Sequence, residues 1–382
     1  MNIAIIGSRG YPYVYSGYET FVKELAERLI KQNISVTVYC HKNLFRELPS
    51  KVNGINLVYI KTIEKKSLSQ FLHSFQSFLH AGFENYDIIL VVNSANGPFG
   101  IITKVFKKKT AINVDGLEWL RPKWKGLGAK YFYYASWLST ILYDEIINDS
   151  FEMQRIYKQV FKKESTVIAY GANIRHSTKP ELIIKWNLEK NEYFLIVGRL
   201  IPDNNADIII REFSSSNSKK KLVVVGDVPY QDEYANKIKT IDDPRIFFTG
   251  YITDQDELAE LYHNCFAYFH GHEFGGTNPT MLTAMAYGCA VIALNTPFTR
   301  EMCDNEKHAI YFTKEEGMLK KIIEDVECNS SIIEPLRNTS RDRIIENYTW
   351  EKITEQYISL FNKMLKKTNK KYLLCIRSNF FL

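Results

Sequence analysis

Short apolar runs alternate with helical-period segments along the chain. "NIAIIG" (2–7) is an apolar run closed by glycine, the pattern of a buried parallel strand. In "GYETFVKELAERLIKQN", which follows, Phe21, Leu25 and Leu29 fall on one helical face. "ISVTVYC", "YDIILVVN" and "KTAINVDG" predict further strands. A polar stretch near residues 170–192 has no clear period, and then the alternation restarts. "EYFLIVGRL", "KKLVVVGD", "RIFFTGYI", "FAYFHG" and "AVIAL" predict strands. "NADIIIREFSSS", "DQDELAELYHNC" and "TMLTAMAYG" predict helices. From Arg341 onward, "RDRIIENYTWEKITEQYISLFNKMLKK" predicts one long helix. Such alternation builds parallel, doubly wound sheets. The predicted class is α/β, with a first domain at 1–175, a second at 190–340 and a helix at 341–367 returning to the first. Ligands of such sheets bind at the carboxyl ends of the strands.

Composition narrows the function classes. With 382 residues the chain is long enough for two cores, and 45% hydrophobic with 24% charged residues is ordinary for a globular protein. A net charge of +6 suits an anionic ligand or membrane surface and requires no nucleic acid, so none is expected as a partner. The six cysteines form no C-x-x-C pair and are expected to be reduced. The N-terminal apolar run is too short for a signal peptide, and no stretch reaches the length of a membrane span. The expectation is a cytoplasmic protein.

Candidate chemistry sits at the predicted strand ends. "GSRGYPYVYSGYET" (7–20) places Gly10 and Gly17 before the first helix, where glycine permits close approach of a phosphate or sugar. The spacing is not G-x-G-x-x-G, so the dinucleotide fingerprint is absent. Glu19 stands either to contact an acceptor hydroxyl or to place charge at the helix N-terminus. In "NVDGLEWLRPKW" (113–124), Asp115 and Glu118 follow a strand beside Trp119. Carboxylates beside aromatics suit sugar hydroxyls and a general base; the alternative is that Asp115 caps a turn. Arg199 ends a strand, where its planar fork can hold a diphosphate. In "HGHEFGGTNPTMLTAMA" (270–286), Gly275, Gly276, Thr277 and Asn278 lead into a helix opening near Pro279. Its first N–H groups favour an anion. His270 and His272 are either donors to phosphate and sugar oxygens or satisfied core residues.

These motifs, with "VIAYGANI" and "YFLIVGRLIPDNN", resemble the bacterial capsule and exopolysaccharide rhamnosyltransferases of the retaining GT-B class, in order, over nearly all of residues 1–360. The resemblance implies two Rossmann-like domains facing across a cleft and a nucleotide-sugar donor, commonly dTDP-L-rhamnose. It implies a lipid-linked saccharide acceptor and no metal or other cofactor. Arg199 matches the diphosphate arginine of the wider class. Asn204 stands where that class has a lysine, and Gly275 where it has the first of two glutamates; the rhamnosyltransferase branch shares both changes. Thr283 occupies the second glutamate position, where the branch keeps "LLEAM" and this chain has "MLTAM". That glutamate would contact the nucleotide ribose, and losing a charge-assisted hydrogen bond weakens binding by roughly 1.5–3 kcal/mol. Ser16 replaces one glycine of the branch's usual pair. Charge developing on the departing nucleoside diphosphate would be met by Arg199 and the glycine cradle. Asp115, Glu118 or the donor phosphate itself is the base. The alternatives are a related glycan-binding or partner subunit that lost turnover through Thr283, and a sugar-nucleotide epimerase.

A lipid-linked acceptor implies peripheral contact with the inner face of the cytoplasmic membrane. "SLSQFLHSFQSFLHAGF" places Leu68, Leu72, Phe75 and Leu79 on one helical face, which is either core or bilayer contact. "KVFKKKT" and "RPKWKGLGAK" add basic charge nearby. "KWKGLGAKYFYYASWLSTILYDEI" interleaves lysine with aromatics, as a glycan- or bilayer-docking helix or as a core helix with a wet rim. The tail "KKTNKKYLLCIRSNFFL" fits none of these motifs.

Overall fold

The computed structural model describes residues 1–12, 17–63, 66–121, 124–228 and 232–379; Ser16 lies outside the described residues. The chain forms two compact units. Unit 1 holds Met1–Trp119, Trp124–Tyr170 and Trp350–Leu382, and unit 2 holds Leu120–Lys123 and Gly171–Thr349.

Unit 1 runs β1 (Asn2–Ile6), α1 (Gly17–Lys31), β2 (Ser35–His41), β3 (Lys51–Val52), β4 (Ile55–Ile60), α2 (Lys66–Phe83), β5 (Ile88–Val92), α3 (Gly100–Val105), β6 (Thr110–Val114), α4 (Leu127–Leu142), β7 (Glu145–Asn148), α5 (Phe151–Phe161) and β8 (Thr166–Val167). Its sheet order is β3-β4-β2-β1-β5-β6-β7-β8, parallel except for the β3–β4 pair. Every residue of β5 and β6 is buried, as expected of central parallel strands covered on both faces. The sequence pattern missed β3, β4, β7 and β8, of which β3 and β8 are two residues each. β4 mixes buried Ile55, Leu57 and Ile60 with half-buried neighbours, and β7 is only four residues long.

Unit 2 runs β9 (Tyr193–Val197), α6 (Ala206–Ser215), β10 (Lys221–Val225), α7 (Glu233–Lys239), β11 (Ile246–Gly250), α8 (Gln255–Asn264), β12 (Ala267–His270), α9 (Pro279–Ala286), β13 (Val291–Leu294), α10 (Pro297–Met302), β14 (Ala309–Phe312), α11 (Met318–Cys328) and α12 (Ile333–Asn347). Its six-stranded sheet is parallel throughout, in the order β11-β10-β9-β12-β13-β14. The core centres on Phe194, whose ring stacks on Phe269 at 4.9 Å and meets Phe266 edge-on at 5.4 Å.

The single helix expected from Arg341 is two helices, α12 and α13 (Trp350–Asn379). Tyr348 leaves the helical region (φ −128°, ψ 22°), and its carbonyl accepts the Ala172 N–H at 2.8 Å. Thr349 pairs with Ala172 in an isolated parallel bridge, so a strand-like contact with a distant residue interrupts the helical run. The boundary between the units falls at Tyr170, and residues 341–349 stay with unit 2. Helix α13 belongs to unit 1. There Asn113 Nδ2 donates to the Tyr357 hydroxyl at 3.0 Å, and Phe21 packs on Trp350 and Tyr357. Cys40, Cys265, Cys289 and Cys303 are free and buried, and Cys328 is exposed.

At the carboxyl end of β2, His41 stacks on His73 of α2 with ring centroids 3.6 Å apart. Burial, then the nearby Arg9 charge, lowers His41 to about 4; burial, then His41, lowers His73 to about 3. Below a pH of about 6.5 the unfolded chain binds protons that the native pair refuses. The pair's contribution to stability is therefore complete above that pH and is lost as pH falls towards 4 and 3. Urea denaturation across this range is expected to show stability falling with acidification, and His73→Leu is expected to flatten the profile. An unchanged slope would show that the pair does not govern acid stability.

Candidate functional site

Unit 2 gathers its functional groups where strand ends meet. Gly226 follows β10 with φ 119°, and a Cβ there would lie 2.1 Å from the Gly198 carbonyl oxygen. Gly271 follows β12, and a Cβ there would lie 2.3 Å from the Asn204 carbonyl oxygen. The loops after β9, β10 and β12 therefore lie backbone against backbone, which only glycine allows. Asn204 is buried, and its Nδ2 donates to the Arg199 carbonyl at 2.8 Å, closing the turn after β9. At the lysine position of the wider class, then, this chain has a brace rather than a cation. The Arg199 side chain is exposed and makes no ion pair among the described residues.

The histidines stand beside it. His270, the last residue of β12, is 1% exposed, and His272 stacks on it at 4.6 Å. His270 Nδ1 lies 3.3 Å from the Tyr268 hydroxyl. His270 Nε2 and His272 Nδ1 are buried and find no hydrogen-bond partner among the described residues. Burial and the charges of Arg199 and Arg121 lower His272 to about 3; burial and His272 hold His270 well below the ordinary range. Both rings are neutral at pH 7. Arg121, which belongs to unit 2, forms an ion pair with the buried Asp203, Nε to Oδ2 at 2.9 Å. Its place beside the tryptophans in the sequence gives no sign of Asp203.

The glycine cradle is thinner as an anion site than the sequence suggests. Gly275 has φ 113°, Gly276 and Thr277 are buried, and Pro279 opens α9. Asn278 Oδ1 caps the helix by accepting from the Thr280 N–H at 3.0 Å. Pro279 has no N–H, so one first-turn donor is missing and another is already used. The free polar capacity lies with His270, His272 and Arg199. Thr283 is half-buried in the second turn of α9.

In unit 1 the candidate side chains are already engaged. Asp115 Oδ1 accepts from the Tyr18 hydroxyl, and its Oδ2 from the Tyr170 hydroxyl at 2.5 Å. Burial and the Asp115 charge hold both tyrosines well above their usual range, so they remain donors. Glu118 accepts from Trp124 Nε1 at 2.7 Å. Glu19 is buried and accepts the Arg9 N–H at 3.0 Å, bracing the turn that holds Gly10, while Gly17 opens α1. Trp119 lies edge-on to Tyr133, Tyr157 and Phe161, within an aromatic cluster.

The close approach of Gly226 to Gly198 makes a direct test. Gly226→Ala is expected to lower the melting temperature and to weaken nucleotide binding together, because the loop carrying Arg199 must move. Thermal unfolding and calorimetry check both, and a variant with unchanged binding would separate this contact from the site.

Comparisons with known proteins bear on the fold. Residues 178–349 match the family described as glycosyl transferases group 1, and residues 1–64 and 84–173 match a domain of unknown function, DUF1972. A probable sucrose-phosphate synthase from Thermosipho melanesiensis is 22% identical, with 91% of each chain covered. The sucrose-phosphate synthase of Thermosynechococcus elongatus superposes with a TM-score of 0.83 at 17% identity, covering 96% of this chain and 99% of that one. Anabaena HepE, solved with UDP and glucose, superposes with a TM-score of 0.77 at 15% identity, covering 94% and 99%. The two parallel-sheet units have the GT-B fold, and the second of them, over residues 178–349, is similar to the glycosyl transferases group 1.

Proposed function

We propose that the protein transfers L-rhamnose, with retention, from dTDP-L-rhamnose to a lipid-linked saccharide in capsule or exopolysaccharide synthesis. The observation that carries the donor site is the pair of buried, unpartnered imidazole nitrogens beside the exposed Arg199. Neutral histidines can hydrogen-bond phosphate or sugar oxygens, and an unpaired guanidinium meets charge developing on the departing nucleoside diphosphate. That HepE was solved with UDP and with UDP-glucose supports a nucleotide donor at such a site. The choice of dTDP-L-rhamnose rests on the resemblance of "NVDGLEW" and "GGTNP". Two tyrosine hydroxyls already donate to the Asp115 carboxylate. Asp115 then anchors and orients, and Glu118 or a donor phosphate oxygen takes the acceptor proton.

The membrane part of the proposal rests on α2. This helix buries His73, Ser74 and Ser77 along with Phe78 and Ala81, and exposes Leu68, Phe71, Phe75, Leu79 and Phe83, so much of its apolar surface faces outward. Its neighbour α3 exposes Ile101 and Val105, and α4, beside α3, exposes Tyr134, Trp137 and Ile141. None of the three helices contains an Asp or Glu. An apolar, aromatic face without acids, near Lys104, Lys107 and Lys130, fits an anionic bilayer surface. Among the described residues no helix is long and apolar enough to cross a membrane.

A screen of labelled dTDP-L-rhamnose and UDP-glucose with lipid-diphosphate acceptors is expected to show rhamnose transfer. Transfer of glucose alone would overturn the donor assignment; nucleotide binding without turnover would favour the binding-subunit alternative. Arg199→Ala is expected to weaken dTDP binding by about tenfold to a hundredfold, the equivalent of about 1.5–3 kcal/mol. Thr283→Glu is expected to tighten it. Flotation on anionic liposomes is expected at low salt, with loss in the double variant Phe83→Ser, Val105→Ser. Equal flotation of the variant, or dimerisation through this face in solution, would remove the bilayer assignment.

A further inference from the structure

Unit 2 contains a cavity of about 500 Å3 at the C-terminal end of the cradle helix. Asn278 caps the start of α9, whereas Tyr287 and Gly288, just past its end, line this cavity. Its wall also includes Lys190, His263, Glu334, Arg337 and Arg341. The two arginines have a structural task. Arg337 Nη2 donates to the carbonyls of Cys265 and Phe266 and to Asn191 Oδ1, and Arg341 uses Nε and Nη2 on the carbonyls of Ala286 and Tyr287. Cations suit these helix C-termini. A guanidinium has five N–H donors, however, and these bonds use neither Nη1 group. Lys190 is exposed and makes no ion pair among the described residues.

His263 adds a different requirement. Its Nδ1 lies 2.9 Å from the Tyr287 carbonyl oxygen. A carbonyl only accepts, so Nδ1 carries the proton and Nε2 presents a lone pair. That Nε2 is buried and has no partner among the described residues. The cavity therefore combines cationic donors for an oxyanion with two hydroxyl acceptors, His263 Nε2 and the Glu334 carboxylate. Its volume falls within the range of small-molecule sites, roughly 300–1,000 Å3. We propose that this cavity binds a small phosphorylated polyol, its phosphate held by Lys190, Arg337 and Arg341 and its hydroxyls by His263 and Glu334. The assignment does not depend on the glycosyl donor or acceptor.

Calorimetry on the full chain, with dTDP saturating, tests it with glucose 6-phosphate, inorganic phosphate and glucose as probes. Saturable binding of glucose 6-phosphate is expected, weaker binding of phosphate and none of glucose. Lys190→Ala removes an exposed side chain that supports no other contact, and is expected to weaken glucose 6-phosphate binding about tenfold or more, by loss of one charged hydrogen bond, with dTDP affinity unchanged. No saturable binding, equal binding by Lys190→Ala, or binding seen only without dTDP would overturn the site. Equal affinity for phosphate and glucose 6-phosphate would overturn the polyol part.

Discussion

The structure of the candidate site in unit 2 depends on backbone packed against backbone. At Gly226 and Gly271 there is no space for a side-chain carbon, because the carbonyls of Gly198 and Asn204 occupy it. This contact draws the loops after β9, β10 and β12 into one place. It sets Arg199 beside His272, while Asn204 secures the turn between Arg199 and α6. A single methyl group would force these loops apart.

Hydrogen-bond satisfaction differs between the candidate groups. In unit 1, Asp115, Glu118 and Glu19 each accept a defined donor, and Trp119 lies among other rings. In unit 2, His270 Nε2 and His272 Nδ1 are left without partners among the described residues, as are nitrogens of the stacked His41 and His73 in unit 1. Leaving a buried polar atom unsatisfied costs about 1–3 kcal/mol. A bound ligand that supplies the missing partner recovers that cost, so such atoms mark where ligand oxygens would be most favourable.

Helix α2 has the opposite irregularity on its surface. His73, Ser74 and Ser77 are buried beside Phe78 and Ala81, while Leu68, Phe71, Phe75, Leu79 and Phe83 are exposed. Exposing this much apolar surface to water is unfavourable, at roughly 25 cal/mol per Å2. The neighbouring faces of α3 and α4 extend the apolar area instead of covering it.

The sequence by itself determined the strand–helix alternation and the two parallel sheets. Continuous apolar runs such as "IAII" and "FLIV" are stable only when both faces are covered, and glycine, histidine and arginine at their ends mark the candidate site. Local periodicity identifies an element, but burial is decided by what packs on it. The apolar face of α2 was legible, whereas its outward direction depended on the polar residues accommodated beneath it. The helix break at Tyr348 was hidden because its cause is Ala172, far away in the chain. The donors to Asp115 were hidden for the same reason: Tyr18 and Tyr170 lie 97 and 55 positions from it, and only the tertiary fold brings the three together.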